Sequence, residues 1–253
     1  MKKAPVYTTW VPKTWNGFSS FNGDYIWSDG SNIYCSYDSD QYVLDKSTST
    51  WNTKTWNGYS NIRGSSIWSD GTNIYYSGGS NQYVLDKSTS TWVSKTWNGL
   101  TYFGGANVWT DGSNIYWSSS GSNYVLDKST STWNPKTWNE YIYINGEGIW
   151  TDGTNIYYGK QYILDKSTST WNSKIWNGFS NIDGMHIWTD GSNIYYSYIY
   201  GNAGNYVLDK STSTWNTKTW NGFSDIIGGY VWTDGSNIYY SYIYGGGNYV
   251  LIE

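Results

Sequence analysis

The sequence predicts an all-β fold, a six-bladed β-propeller of four-stranded antiparallel blades whose ring is closed by the N-terminal strand completing the last blade. Three observations predict it. The first is an internal repeat, the signature that most constrains architecture. Trp-Ser/Thr-Asp-Gly begins at Trp27, Trp68, Trp109, Trp150, Trp188 and Trp232, at spacings of 41, 41, 41, 38 and 44 residues. The second is composition: 21% of residues are aromatic, with 19 Trp and 28 Tyr, against 13% charged and only three Pro. Aromatic side chains suit pleated, half-buried surfaces, and no apolar i, i+3, i+4, i+7 run speaks for a helix. The third is an offset at the termini. The last repeat stops after three strands, near Leu251, and its missing fourth stands at residues 8–15. Pairing the two closes the ring and removes an exposed sheet edge; a solenoid has no need of such an offset.

Each repeat parses into four strands, illustrated by the second. Ser66-Ile67-Trp68-Ser69 is the first, and Asp70-Gly71 reads as the tip of a two-residue hairpin with positive φ. Asn73 to Ser77 returns as the second strand. A glycine-rich loop leads to Gln82-Tyr83-Val84-Leu85, the third. Asp86 to Thr91 forms a polar turn in which carboxylate and hydroxyls can bond nearby backbone N–H groups. Trp92 to Trp97 reads as the fourth strand, and two Trp five apart on an unbroken strand face opposite sides. A blade covered on both sides by its neighbours needs that arrangement. The expected organisation is one domain over residues 1–253, with blades at about 22–56, 63–97, 104–138, 145–176, 183–220 and 227–253, the last completed by 6–15.

Composition also excludes several partners. A net charge of −4 without basic runs argues against nucleic acid, whose binding needs clustered cations to release counterions. One cysteine, Cys35, cannot form an internal disulfide framework. No apolar stretch approaches the ~20 residues of a membrane span, and Ala4-Pro5-Val6-Tyr7 is no signal-peptide core. A soluble chain without membrane association, signal peptide or cofactor is expected.

The run Tyr-Val-Leu-Asp followed six residues later by Trp, as from Asp45 to Trp51 and from Asp86 to Trp92, resembles the kelch repeat. Kelch blades place an aspartate, a polar turn with a threonine, and a tryptophan in that order. The resemblance covers all six repeats and implies a propeller. It is atypical, because the double glycine of kelch blades is approached only at Gly78-Gly79 and Gly245-Gly246. Propellers with a Tyr-Trp-Thr-Asp signature place that motif within a strand, whereas here Asp-Gly reads as a hairpin tip.

Comparison among the six copies locates a working face. Every length change falls between strands two and three: Tyr34 to Tyr42 is eight residues, Tyr157 to Tyr162 five, and Tyr195 to Tyr206 eleven. The linker from blade to blade keeps its length and changes its sequence. In an antiparallel blade these two segments emerge on one side of the disc, and the repeated Asp-Gly and Asp-Lys-Ser-Thr turns on the other. Variable loops on a rigid scaffold commonly carry function. The candidate ligand-binding residues on that face are Phe21, Tyr37, Arg63, Phe103, Trp117, Tyr143, His186, Tyr198, Tyr200, Tyr230, Tyr242 and Tyr244. Aromatic rings with small polar neighbours suit sugars or protein surfaces. An alternative set is six repeated pockets at Trp15, Trp56, Trp97, Trp138, Trp176 and Trp220, although a ring repeated in every blade is more simply a packing element.

Catalytic constellations are scarce. His186 is the one histidine and Arg63 the one arginine, so neither a histidine-rich metal site nor a three-arginine carboxylate clamp of the sialidase type can form. Asp38 and Asp40 form a loop with cation-binding residue types but only two acids. Eleven of the 19 acids occupy repeated turn positions, where a structural role is expected. The sequence therefore points to a non-enzymatic recognition module for a carbohydrate or protein partner on the variable face. The alternative is a structural repeat protein that assembles other components; an enzyme comes last.

Overall fold

The computed structural model describes residues 7–140, 143–159, 161–198, 204–242 and 247–252. Its strands form six antiparallel sheets arranged in a ring. Blade one comprises Ile26–Ser28, Ile33–Asp38, Asp40–Asp45 and Thr50–Thr53, and blade two Ile67–Ser69, Ile74–Gly79, Asn81–Asp86 and Thr91–Ser94. Blades three to five repeat the pattern from Val108–Thr110, Ile149–Thr151 and Ile187–Thr189. Blade six is built from Val231–Thr233, Ile238–Tyr242 and Gly247–Ile252, and its fourth strand is Thr9–Pro12. That strand pairs antiparallel with the chain's last one, Trp10 opposite Leu251 and Pro12 opposite Tyr249. The expected closure is present.

Two local expectations need correction. The Asp-Gly hairpin is a four-residue loop, because Ser69 pairs with Ile74 and Asp70 to Asn73 lie outside the ladder. Gly71 does take a positive φ, +89°, but the organiser is the Asp70 carboxylate. Its Oδ1 accepts from the Thr72 and Asn73 N–H groups and its Oδ2 from the Tyr75 hydroxyl. The same bonds recur at Asp29, Asp111, Asp152, Asp190 and Asp234. The second correction concerns strand four, which ends at Ser94, three residues before Trp97. Beyond it the chain crosses to the next blade, where Asn98 bridges in parallel to Thr132. Elsewhere this crossing forms a short outermost strand, as at Asn16–Gly17 beside Thr50 and Trp51.

The core lies between blades, in six clusters. Each joins a strand-one Trp and strand-two Tyr of one blade to the crossing Trp and the strand-four Trp of the next. Trp68, Tyr75, Trp97 and Trp133 form one such group, packed on Phe103, Ile115 and Leu126. Trp92 and Trp97 thus serve opposite sides of blade two, as the spacing predicts, though by a chain crossing and not by one straight strand. Ring centroids of the strand-one, crossing and strand-four Trp lie 5.7–6.0 Å apart, within the range of favourable aromatic contacts. The strand-one indole is also hydrogen bonded: Trp68 Nε1 donates to Ser77 Oγ at 2.9 Å. In blade four, whose loop is shortest, Gly159 replaces that serine and its carbonyl accepts from Trp150 instead.

The linker contributes a buried hydrophobic side chain beside strand two, and its size is matched to its strand-two partner. Ile62 packs beside Tyr76, Ile182 beside Tyr196 and Ile226 beside Tyr240. Where the linker carries Phe21, strand two carries the small Cys35. Where it carries Phe103, the large Trp117 is turned outward, its indole donating to the Gly104 carbonyl at 3.2 Å. The nineteenth tryptophan is the partner of an oversized linker residue.

Candidate functional site on the variable face

On the face carrying the linkers, each linker ends in a short 3-10 turn that leads into strand one: Gly23–Tyr25, Gly64–Ser66, Gly105–Asn107, Gly146–Gly148, Gly184–His186 and Gly228–Tyr230. Neighbouring turns touch all the way round, so they form a collar about the axis. The first residue is always glycine because a Cβ there would overlap the carbonyl of the preceding turn: Gly64 on Tyr25, Gly105 on Ser66, Gly23 on Tyr230. Buried Gln41 and Gln82 hold the linker from below by donating to the Ile62 and Phe103 carbonyls.

With the backbone held so uniformly, the third residue of each turn is free to differ. Going round the collar from blade one, it is Tyr25, Ser66, Asn107, Gly148, His186 and Tyr230. It stands beside the end of strand two, where blades one, five and six carry Tyr37, Tyr198 and Tyr242. Three aromatic pairs result, with ring centroids 4.7 Å apart for Tyr25–Tyr37, 4.3 Å for His186–Tyr198 and 4.5 Å for Tyr230–Tyr242. Blades five, six and one are consecutive in the closed ring, so the pairs form a continuous crescent. Blades two and three carry Gly78 and Ser119 at the strand-two position, and the blade-four equivalent lies outside the described residues.

A carboxylate contact stands at each end of the crescent. At one end Arg63 donates from Nε and Nη2 to the two Asp38 oxygens at 2.6 and 3.1 Å, with its guanidinium 5.6 Å from the Tyr37 ring. Both partners are well exposed, so the pair orients more than it stabilises, and the Asp38 carboxylate is engaged by arginine. At the other end His186 Nδ1 is bonded to Asp183 Oδ1. Within the crescent, burial raises the Asp24 carboxyl to about 6, against which backbone N–H bonds act. Among the described residues no group of three or more His, Cys, Asp or Glu could hold a metal ion.

Beside the Asp183 end lies a cleft of about 380 Å³ between the linkers of blades four and five. Two sequence features of blade four stand at it. The connection from Tyr158 to Tyr162 is the shortest of its kind, and Gly148 has no side chain where the collar elsewhere carries Ser, Asn, Tyr or His. Two smaller clefts, of about 320 and 210 Å³, occupy equivalent places on blades two and one and reach Trp97 and Trp56.

The candidate residues fall into distinct groups. Tyr37, His186, Tyr198, Tyr230 and Tyr242 meet in the crescent and Arg63 flanks it; Tyr143 is exposed apart from it, and Trp117 is half-buried. Tyr200 and Tyr244 lie outside the described residues. Phe21 and Phe103 belong to the core, 3% and 1% exposed, because they fill the inter-blade clusters; they present no surface to a ligand. The repeated tryptophans Trp15, Trp56, Trp97, Trp138, Trp176 and Trp220 are likewise buried. Each has a lysine ammonium 4.4–4.8 Å from its ring centroid. Sequence reasoning missed Tyr25 and Gly148. Aligning the linkers on the glycine four residues before each Trp-Ser/Thr-Asp-Gly would have found both.

The opposite face is uniform for a structural reason. Lys87 Nζ donates to the Asp29 carbonyl of the preceding blade at 2.9 Å, and Lys128, Lys166, Lys210 and Lys46 repeat that bond around the ring. Side chains that tie a blade to its neighbour at five junctions cannot vary singly.

No protein-family model matches the sequence, and no curated protein matches it. Among solved structures, the extracellular domain of a proposed one-component system of B. thetaiotaomicron is similar, with TM-score 0.57, 14% identity, 98% of this chain covered and 38% of that one. The extracellular domain of a proposed hybrid two-component system of the same organism gives TM-score 0.56, 13% identity, and coverage of 99% and 38%. This chain therefore spans less than two-fifths of the length of either. At such identity the likeness shows the fold alone: the class is that of six-bladed β-propellers.

Proposed function

We propose that this propeller is a non-enzymatic recognition module that takes its ligand on the variable face, over the aromatic half of the collar. One observation carries the reading. A fold whose six blades are nearly interchangeable breaks its symmetry on one face, and there the departures are contiguous: three aromatic pairs in consecutive blades, an Arg–Asp ion pair at one end, a His–Asp hydrogen bond at the other and a cleft beside them. Packing alone gives no reason for the asymmetry, since blades two and three build the same collar with serine, asparagine and glycine. Aromatic pairs preset by stacking lose little side-chain entropy on binding. The similar structures are extracellular domains, and a ligand-reading propeller in that setting agrees with this reading. The kelch resemblance enters as architecture: the Asp86 carboxylate and Thr89 hydroxyl of the motif bond each other within the turn, away from the variable face.

The test is binding of the full chain to a broad glycan array and to candidate protein extracts, beside the Tyr37→Ala/Tyr242→Ala variant. Loss of the wild-type signal in that variant, with an unchanged melting temperature, is expected. A variant that binds as well as wild type would overturn the crescent as the docking surface. Absence of any ligand, with concentration-dependent self-association by sedimentation, would favour a structural role.

A further inference from the structure

We infer that the cleft of about 320 Å³ on blade two is a second binding site, one that takes a single pyranose unit of a glycan. It goes beyond the crescent reading, because it lies on another blade and uses none of the crescent's residues. The cleft opens between the start of strand three, the end of strand four and the linker that follows. Ser80, Ser94, Thr96 and Thr101 contribute hydroxyl-bearing side chains to its lining. Its volume stands at the lower end of the range for ligand pockets, which leaves room for one sugar ring.

Two groups of the lining have hydrogen-bonding capacity to spare. Gln82 is 6% exposed, and its Nε2 donates to the Gly79 and Phe103 carbonyls. Those two acceptors settle which arm of the amide is nitrogen, and Oε1 accepts from no group among the described residues. A buried acceptor without a donor costs free energy that an entering hydroxyl recovers. Lys95 supplies the opposite sense. Its Nζ stands 4.6 Å from the Trp97 ring centroid and donates to Ser131 Oγ at 2.8 Å, a bond that uses one of its three N–H groups. A hydroxyl both donates and accepts, so vicinal hydroxyls answer an amide oxygen and an ammonium together.

Water satisfies those two groups as well, and the ring beside the cleft is what selects a sugar. Tyr102 is 74% exposed and follows Thr101 of the lining. It leans on Gly79, the residue before Ser80: a Cβ there would lie 3.2 Å from Cε2 and 3.4 Å from Cζ of the ring. Glycine, at φ +67°, lets the ring rest against the backbone with the remainder of its surface open to solvent. The axial C–H groups of a pyranose stack on such a ring, while hydroxyls of the same unit enter the cleft. The related cleft of blade one has Asn61 where Tyr102 stands and Asp40 in place of Asn81, so it offers a polar lining without the ring.

The test uses the full chain, labelled with nitrogen-15, and a panel of glucose, galactose, mannose, N-acetylglucosamine, cellobiose and lactose, each at about 10 mM, enough to populate a site of millimolar Kd. Saturation-transfer NMR reports contact, and the shift of the Gln82 side-chain amide signals on titration reports the cleft and gives the affinity. Transfer from at least one member is expected, with the Gln82 signals moving in step. Tyr102→Ala, which removes the platform, and Thr101→Trp, which fills the cleft, should each weaken binding about ten-fold or more. Both positions are exposed, and an unchanged melting temperature keeps a folding defect from imitating the result. Ser60→Trp, the same filling in blade one, and Tyr37→Ala/Tyr242→Ala in the crescent should leave binding unchanged. No transfer from any member overturns the assignment. Binding that survives both blade-two variants, or that leaves the Gln82 signals unmoved, overturns it too. Loss in the crescent variant alone then moves the sugar to the crescent and keeps the recognition reading standing.

Discussion

At the residue scale the chain trades volume between fixed partners. Cys35 is fully buried beneath Phe21, at the place where blades two, five and six carry a tyrosine beneath an isoleucine. Interiors packed to crystal density feel a change of one methylene, so neither residue of the pair can be altered alone without cost. Cys35→Tyr adds a ring to a filled space and should destabilise by about 1–3 kcal/mol. Phe21→Ile removes bulk and should cost a similar amount through the cavity it leaves. The double variant recreates the combination of the other blades, and a coupling energy of at least about 1 kcal/mol should appear in urea unfolding. Strictly additive losses would show that the two positions do not share their space.

At the scale of elements, the collar of 3-10 turns is the tightest construction in the molecule. Its glycines are demanded by backbone approach and not by dihedral angle: Gly64 faces the Tyr25 carbonyl and has no positive φ. Gly71, at a hairpin tip, shows the converse, with φ +89° and open space around a hypothetical Cβ. Gly71→Ala should therefore cost only the left-handed conformation, about 1–2 kcal/mol. Gly64→Ala must displace the neighbouring turn itself and should cost more, on the order of 3 kcal/mol or above. Chemical denaturation of the two variants side by side checks the order. Equal losses would mean the collar yields easily, and a compliant collar would be a poor scaffold for the crescent it carries.

At the scale of the whole molecule, stability should depend on pH through two opposed sets of carboxyls. In six hairpin aspartates, burial works against ionisation, yet bonds from backbone N–H groups and a tyrosine hydroxyl hold the carboxyl below its usual range. In five turn aspartates, serine and threonine hydroxyls do the same at the surface. A depressed carboxyl stabilises the fold above its unfolded pKa, near 4, and that contribution is lost as pH falls through the lower folded value. Because the eleven are spread through all six blades, acid unfolding should be cooperative and set in below about pH 4. Asp24 has the opposite sign. With its folded pKa raised to about 6, its contribution is full below pH 4 and is lost as pH rises through 6. Asp24→Asn should then raise stability at pH 7.5, on the order of 1–2 kcal/mol once partial exposure is allowed for, and give no gain at pH 4. A gain that is the same at both pH values would show that Asp24 is ionised throughout.

What the sequence by itself determined was the architecture and the side of the disc on which its copies differ. Blade number, strand order and ring closure are written in the repeat and in the offset of its ends, because every blade must bury both faces and only a ring satisfies all six alike. The chemistry of the repeated turns was also legible, since Asp, Ser and Thr at fixed short spacings have few local partners. Which variable residues gather was decided by tertiary structure alone. Phe21 shares a linker with Tyr25 and Ile144 with Gly148, yet the first of each pair fills the core while the second stands in the collar. No periodicity in an irregular segment tells these positions apart. The crescent exists because closure brings blade six beside blade one, placing residues 25 and 230 next to each other. The cleft lies where Gly148 of the collar and Tyr158, ten residues further on, come to one place.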